Sequence, residues 1–436
     1  MNGTAVTEAI EQTEAFDQTK VQKLPFWQMA KRIGPGLILC GVVIGPGAIT
    51  TAAMLGATYG YALIWLLIPV IFMGITFMLT TYRIALLTGM PTIHAIRHYY
   101  GRGAAIFVGL ATFLACFFFT MGNISGTGAG MNLIFGINWK IGAIIMIAVL
   151  TYCYFSKGVY SKVELGITLC ILGMIIAFYI TLVGTGGPDW GEFAAGLTHW
   201  SFPLGSVLVA LGFISTHASV TTGVYGTYLG KEKKWKKEDM FNGVMMADAI
   251  AHVGGVVLIA GAIILVGAIV LNPTGTVIRS PAQLAEMLVP TLGGAAKYIM
   301  GVALLAAGFS SLLGNTQRAV VLLNAGFDNP TSLEHKSIRW GSMGVIAVAG
   351  IIAFLYNGSP TQLIYIANIL TSVSTPVAGF FICCMICRKD VNEGLKPPRL
   401  LQVCMIASYV FVVFLTAISL YTTVPKFINS IASMFA

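Results

Sequence analysis

The most informative stretch of this sequence is Gly41-Val42-Val43-Ile44-Gly45-Pro46-Gly47-Ala48-Ile49-Thr50-Thr51, at the centre of an apolar segment. Proline has no amide N–H to donate and clashes with the preceding helical turn, and glycine weakens a helix on either side. We therefore predict a helix that breaks at Gly45-Pro46-Gly47. Unwound backbone at membrane depth is tolerated only where it is buried or lines a cavity, so the break marks a candidate substrate site.

A second apolar segment is interrupted in a different way, by polar side chains. It reads Leu211-Gly212-Phe213-Ile214-Ser215-Thr216-His217-Ala218-Ser219-Val220-Thr221-Thr222-Gly223 and carries six hydroxyl or imidazole groups. It belongs to the sixth predicted span, five spans after the first. Carriers built from inverted repeats place their broken helices in corresponding positions of the two halves. The pair of breaks therefore favours a secondary transporter over a packing kink.

The composition indicates that lipid is the main solvent of this surface. Of the 436 residues, 57% are hydrophobic and 9% are charged, and the mean hydropathy is +0.84. A soluble domain has about a quarter of its residues charged. We predict an all-α integral membrane protein with about eleven transmembrane helices of roughly 20 residues each. The predicted spans are 35–57, 60–88, 104–135, 139–156, 161–184, 202–229, 241–270, 290–325, 338–356, 359–387 and 401–423.

Basic residues predict the orientation of these spans. With the N-terminus placed inside, all but four of the 25 Lys and Arg residues fall at cytoplasmic loops or helix ends, the exceptions being Lys140, Arg279, Lys297 and Lys426. The positive-inside rule then predicts a cytoplasmic N-terminus and an external C-terminus in a cell or plasma membrane. Residues 1–24 are predicted to be a disordered cytoplasmic tail, without the apolar core of a signal peptide. The net charge of +9 comes from loop residues that face the anionic leaflet of the membrane. We therefore predict no nucleic-acid partner.

Several motifs resemble the Nramp family of divalent-metal transporters. They are Gly34-Pro35-Gly36 through Gly60-Tyr61, Ala306-Ala307-Gly308-Phe309-Ser310-Ser311, and Ser359-Pro360-Thr361-Gln362. The resemblance implies a LeuT-like scaffold of two inverted five-helix repeats plus one extra helix, with helices 1 and 6 broken. It places the first repeat at 25–184, the second at 185–387, and a loop with helix 11 at 388–436.

The functional motifs of the family are altered. Its first-helix signature is Asp-Pro-Gly-Asn, and the matching residues are Gly45-Pro46-Gly47-Ala48, which lack both ligand side chains. The sixth-helix Met-Pro-His corresponds to Ser215-Thr216-His217. The acids of the family's proton route in the third helix correspond to Thr120 and Asn123, and a tenth-helix glutamine corresponds to Asn368.

These positions define the predicted substrate site, which consists of Gly45, Pro46, Gly47, Ala48, Thr51, Ser215, Thr216, His217 and Asn368. A carboxylate normally compensates a divalent ion for its lost water, so neutral oxygens alone disfavour tight Mn²⁺ or Fe²⁺ binding. One open reading is a weakly bound, Mg²⁺-like cation at the backbone of Gly45 and Ser215 with His217, not coupled through the usual proton route. The other is a small organic solute such as an amino acid or amine. A channel remains a further alternative.

Three ionisable groups are candidates for a proton-linked role: His217, Asp248 and His252. Asp248 and His252 are four residues apart and share one helix face. The sequence contains no GxSxG, HExxH or Walker motif, so we predict neither an enzyme nor a cofactor. The predicted partners are the substrate and the lipid bilayer, and the sequence says nothing about oligomeric state.

Overall fold

The computed structural model describes residues 21–155, 159–392, 395 and 398–435, and for 159–168, 419–420 and 422–435 it describes the backbone only. Within these residues every regular element is helical, so the predicted all-α class is confirmed. Most of the predicted tail lies outside the described residues. The α-helices are α1 (Phe26–Arg32), α2 (Pro35–Val43), α3 (Pro46–Tyr59), α4 (Leu67–Thr88), α5 (Thr92–Phe135), α6 (Trp139–Phe155), α7 (Val159–Gly184), α8 (Trp190–Thr198), α9 (Val207–His217), α10 (Val220–Glu232), α11 (Val244–Val266), α12 (Pro281–Glu286), α13 (Val289–Leu292), α14 (Ala296–Phe327), α15 (Lys336–Leu355), α16 (Pro360–Leu370), α17 (Ser374–Cys387) and α18 (Arg399–Phe435).

Both predicted helix breaks are present. α2 and α3 are bent by 62° at the two residues between them. α9 ends at His217 and α10 begins at Val220, with Ala218 and Ser219 in non-helical conformations. Glycine also explains a bend in α5, because Gly101 has φ +87°, a conformation that only glycine adopts without strain. The helical part after that bend corresponds to the predicted third span.

Eight helical segments in the described residues are long and apolar enough to cross a membrane, and some of them join consecutive α-helices, such as α9 and α10 at Val207–Glu232. The bent pair of α2 and α3 forms a ninth span. Two shorter apolar helices, Trp139–Phe155 and Leu169–Gly184, correspond to the fourth and fifth predicted spans. A multi-pass membrane protein is therefore confirmed. The count of eleven, the orientation and the boundaries of the two repeats remain predictions.

Burial separates the central helices from the peripheral ones. In the most apolar part of the α9–α10 span, 89% is buried inside the protein. In the most apolar part of Arg399–Ile418, the described start of the last helix, only 28% is buried. The broken helices therefore lie at the centre of the bundle, whereas the last helix faces lipid.

Glycines bring α5 and α14 into direct backbone contact at both ends. A Cβ added to Gly109 would lie 2.9 Å from the Cα of Gly326, and one added to Gly130 would lie 2.6 Å from the carbonyl oxygen of Gly301. Small residues allow such close approach in lipid, where packing stabilises helix pairs. α5 and α14 therefore form a tightly joined pair, against which the first broken helix packs.

Candidate substrate site

The first break leaves backbone groups without helical partners. Pro46 has no N–H, so the Val42 carbonyl accepts instead from Ser311 Oγ at 2.8 Å and Asn315 Nδ2 at 3.3 Å. Gly45 N–H donates to the Val43 carbonyl at 2.8 Å. No hydrogen bond to the Ile44 carbonyl, or from the Gly47 and Ala48 amides, is found among the described residues. The break thus supplies one free acceptor and two free donors.

The residues around this break are packed closely enough to determine which side chains fit. A Cβ on Gly45 would lie 2.7 Å from Ser311 Oγ and 2.8 Å from Asn123 Oδ1. A Cβ on Gly47 would lie 2.5 Å from Asn368 Oδ1, and Asn368 Nδ2 donates to the Gly47 carbonyl at 2.9 Å. The site therefore has no space for an acidic side chain at position 45 unless its neighbours shift.

The second break is stabilised by side chains that bond back to the preceding turn. Ser215 Oγ donates to the Leu211 carbonyl, and Thr216 Oγ1 donates to the Gly212 carbonyl at 2.7 Å. His217 Nδ1 lies 2.8 Å from the Phe213 carbonyl. A carbonyl only accepts, so Nδ1 carries the proton of the neutral ring and Nε2 keeps a lone pair suited to a cation.

α3, α9 and α16 meet at the predicted site. A Cβ on Gly212 would lie 3.6 Å from Thr51 Cγ2 and 3.9 Å from Asn368 Cβ. The structure thus brings together Gly47, Thr51, Asn368 and the last turns of α9. The His217 ring lies 4.2 Å from the Phe213 ring between centroids, with the two planes tilted by 34°. All of the predicted site residues are buried, so this conformation is closed to solvent.

Helix ends give the site its electrostatic character. At the end of α9 the carbonyls of Ser215, Thr216 and His217 accept no hydrogen bond from described residues, and a helix C-terminus carries partial negative charge. α3 begins nearby and its free amides carry partial positive charge. No group of three or more His, Cys, Asp or Glu side chains able to hold a metal occurs in the part of the chain that the structure describes. The site is therefore built from neutral oxygens and one imidazole.

Comparison with known proteins shows the family to which this chain belongs. The Nramp family model, described as natural resistance-associated macrophage protein-like, matches residues 36–422. The chain belongs to this family.

Two relatives of this Nramp protein are named divalent metal cation transporter MntH. The Brucella suis protein is 25% identical over 359 residues, which cover 79% of this chain and 78% of the relative. The Agrobacterium fabrum protein is 23% identical over 377 residues, covering 84% and 81%. The resemblance predicted from the motifs is confirmed.

Solved structures agree with the fold. A mutant of the Eremococcus coleocola manganese transporter has a TM-score of 0.72 at 15% identity and covers 94% of this chain and 92% of that one. MhsT in complex with L-phenylalanine has a TM-score of 0.56 at 15% identity and covers 88% and 97%. At such identities the likeness shows the fold alone, and it confirms the LeuT-like scaffold of this Nramp chain.

Asp248 has a structural role that its sequence position did not predict. Its Oδ1 accepts from the Gly34 and Gly36 amides at 3.1 and 3.0 Å, and Tyr82 O–H donates to its Oδ2 at 3.1 Å. The carboxylate thereby fixes the start of α2 to α11 and α4. No hydrogen bond joins it to His252, whose Nδ1 has no partner among the described residues. A proton-linked role for either group remains a prediction.

Two polar residues of α14 in this Nramp protein were missed by sequence reasoning. Ser311 packs against Gly45, and only the tertiary structure reveals that contact. Arg318 was counted among the basic residues at cytoplasmic loops or helix ends, which is wrong, because it is buried inside α14 with 1% of its surface exposed. The signal was an ionisable residue within the predicted 290–325 span, which is a marker of function in membranes.

Proposed function

We propose that this Nramp-family chain is a secondary transporter that carries a divalent metal cation by alternating access. One observation carries the proposal: two broken helices meet at a closed site that is lined by backbone carbonyls without partners among the described residues, the Asn368 amide and the His217 imidazole. The names of the MntH relatives support the cation class. The breaks support a carrier, because half-helix ends and unwound carbonyls bind ions in this type of scaffold.

The cation we propose is one that is bound weakly and keeps much of its water, such as Mg²⁺. The carbonyl oxygens of Ile44 and Ser215, together with His217 Nε2, are the groups at the two breaks that best match this ion class, although Ile44 was not among the predicted site residues. The Gly45 carbonyl already accepts from Ile49 N–H at 3.2 Å, so Ile44 takes the place that we assigned to Gly45. Hard cations of this kind prefer oxygen, and Mg²⁺ sheds water reluctantly.

We propose that transport is not coupled to protons through the route that is usual in the family. Thr120 donates its hydroxyl to the Cys116 carbonyl at 2.9 Å, and neither Thr120 nor Asn123 can titrate at accessible pH. Transport would then be driven by the gradient of the cation itself and by the membrane potential.

A second candidate is a small organic solute with a carboxylate, such as an amino acid. The free amides of Gly47 and Ala48 at the start of α3 favour it, because helix N-termini bind anionic groups. A cation and a carboxylate need opposite partial charges, and the two breaks offer both.

A flux panel in proteoliposomes tests the proposal. We expect saturable uptake of Mg²⁺ that exceeds uptake of Mn²⁺ and Ca²⁺, and no uptake of amino acids. Uptake of an amino acid without any divalent cation would support the second candidate and overturn the first. Linear, non-saturating flux of several ions would indicate a channel.

Substitution at the first break locates the site. Gly47→Leu places a side chain against Asn368 and should abolish uptake. Gly254→Leu is the matched control, because a Cβ at Gly254 has no atom within 4 Å, and uptake should be unchanged. Full uptake by folded Gly47→Leu protein would show that the substrate passes elsewhere.

A further inference from the structure

Arg318 is the largest fully buried side chain in the described residues, with 1% of its surface exposed. It lies on α14 and faces α5. A buried guanidinium keeps its charge, because arginine does not deprotonate in proteins. Removing that charge from water is unfavourable unless an anion compensates it.

The described partners of Arg318 are all neutral. Its Nε donates to Cys116 Sγ at 3.1 Å, and its Nη2 donates to Asn315 Oδ1 at 2.6 Å. Its guanidinium carbon lies 5.5 Å from the ring centroid of Phe119. No Asp or Glu forms an ion pair with it among the described residues. These contacts orient the guanidinium and supply partial charges, but none supplies a full negative charge.

One edge of the guanidinium is unsatisfied. Nη1 is inaccessible to solvent and has no hydrogen-bond partner, so its N–H groups are available to a ligand. His252 on α11 also has a buried Nδ1 without a hydrogen-bond partner among the described residues. The nearest acid on that helix, Asp248, is already occupied by the Gly34 and Gly36 amides and by Tyr82. No Asp or Glu among the described residues is therefore placed to pair with Arg318 Nη1.

We propose that Arg318 Nη1 is a binding site for one small monovalent anion, of halide or acetate size. A guanidinium matches such ions through charge-assisted hydrogen bonds. Asn315 bonds to both Arg318 and the Val42 carbonyl, so the site is one residue away from the first break. Arg318 follows Ser311 by seven residues, which is about 10 Å along a helix. The bound anion neutralises a charge that would otherwise repel a cation in the substrate site.

This proposal does not rest on metal transport, because it concerns the charge balance of α14 in either substrate class. The test uses purified full-length protein in detergent, with a bulky sulfonate salt holding the ionic strength constant. Radiolabelled chloride binding and the melting temperature are measured against chloride, and acetate is tested as a competitor. We expect one saturable chloride site, a melting temperature that rises with chloride, and binding at least about tenfold weaker in Arg318→Gln.

A second pair of variants keeps the test decisive if Arg318→Gln does not fold. Cys116→Asp places a carboxylate beside the guanidinium and should remove the chloride response, whereas Cys116→Asn has the same shape without the charge and should retain it. A melting temperature that rises with acetate but not with chloride, and that does not rise in Cys116→Asp, would support the anion site and assign it to carboxylates. A melting temperature and binding signal that do not depend on any anion in wild-type protein would overturn the proposal, as would an unchanged response in Cys116→Asp.

Discussion

Asp248→Ala should loosen the start of α2 without disturbing the rest of the bundle. Asp248 is fully buried and receives three hydrogen bonds, two from backbone amides at the start of α2 and one from Tyr82. Alanine removes all three acceptor contacts and leaves the Gly34 and Gly36 amides and the Tyr82 hydroxyl without their hydrogen-bond partner. The substitution therefore acts on the contact between α2 and α11.

The expected magnitude follows from the groups that lose their partners. Losing a capping side chain costs about 1 kcal/mol for each orphaned helix-start amide, and an orphaned buried hydroxyl costs about 1 kcal/mol more. The sum is about 3 kcal/mol, which corresponds to roughly a hundredfold shift in the local opening equilibrium, since every 1.4 kcal/mol is tenfold. Asp248→Asn keeps the geometry and removes the charge, so its effect should be smaller. Tyr82→Phe removes one hydrogen bond and should give about a fivefold shift.

Hydrogen exchange measured by mass spectrometry reads this equilibrium directly, because local opening controls amide exchange. Peptides that cover residues 33–44 should exchange about a hundredfold faster in Asp248→Ala protein. Peptides from α15, at residues 336–355, serve as the internal control. Exchange at 33–44 that stays within about twofold of wild type would refute the reasoning. Equal acceleration in α15 would also refute it, because the effect would then be global.

Three further predictions address topology, substrate and pH. A cysteine introduced at exposed Glu232 should be labelled only from the cytoplasm, and one at exposed Asp189 only from outside; reversed labelling would invert the predicted orientation. Calorimetry should show no micromolar Mn²⁺ binding, whereas Gly45→Asp combined with Ser311→Gly and Asn123→Ala, which removes both side chains that a Cβ at position 45 would meet, should create some; tight binding by unmodified protein would contradict the weak site. His217→Gln should abolish any change in uptake between about pH 5 and 8, because glutamine does not titrate, and a persistent pH profile would exclude His217 as its source.

The two helix breaks were predictable because their causes are local. Pro46 between Gly45 and Gly47 removes a donor and weakens the helix wherever the segment lies. At the second break, Ser215 and Thr216 bond to the carbonyls four residues earlier, which is the local competition that hydroxyl side chains offer a helix. The observed breaks fall within the predicted segments for these reasons.

The contacts around the breaks were not predictable, because they join residues that are far apart in the chain. Spacing of four residues suggested a pair between Asp248 and His252, yet the carboxylate is used by Gly36, more than 200 positions away. In the same way, Ser311 occupies the space beside Gly45 that an acidic side chain would need. Periodicity shows which residues share a helix face, but it does not show what that face meets.

The glycine contacts that join α5 to α14 have an electrical consequence. Backbones held this closely resist relative movement, so we expect the pair to stay in place while α2, α3, α9 and α10 move around the substrate. Arg318 belongs to that stationary pair, and its charge then does not cross the membrane with the substrate. The net charge that crosses the membrane in each transport cycle would equal the charge of the substrate alone. For a divalent cation, 100 mV would contribute about 4.6 kcal/mol per ion transported, at about 2.3 kcal/mol for each charge. Voltage would thus be a strong driving force for this carrier.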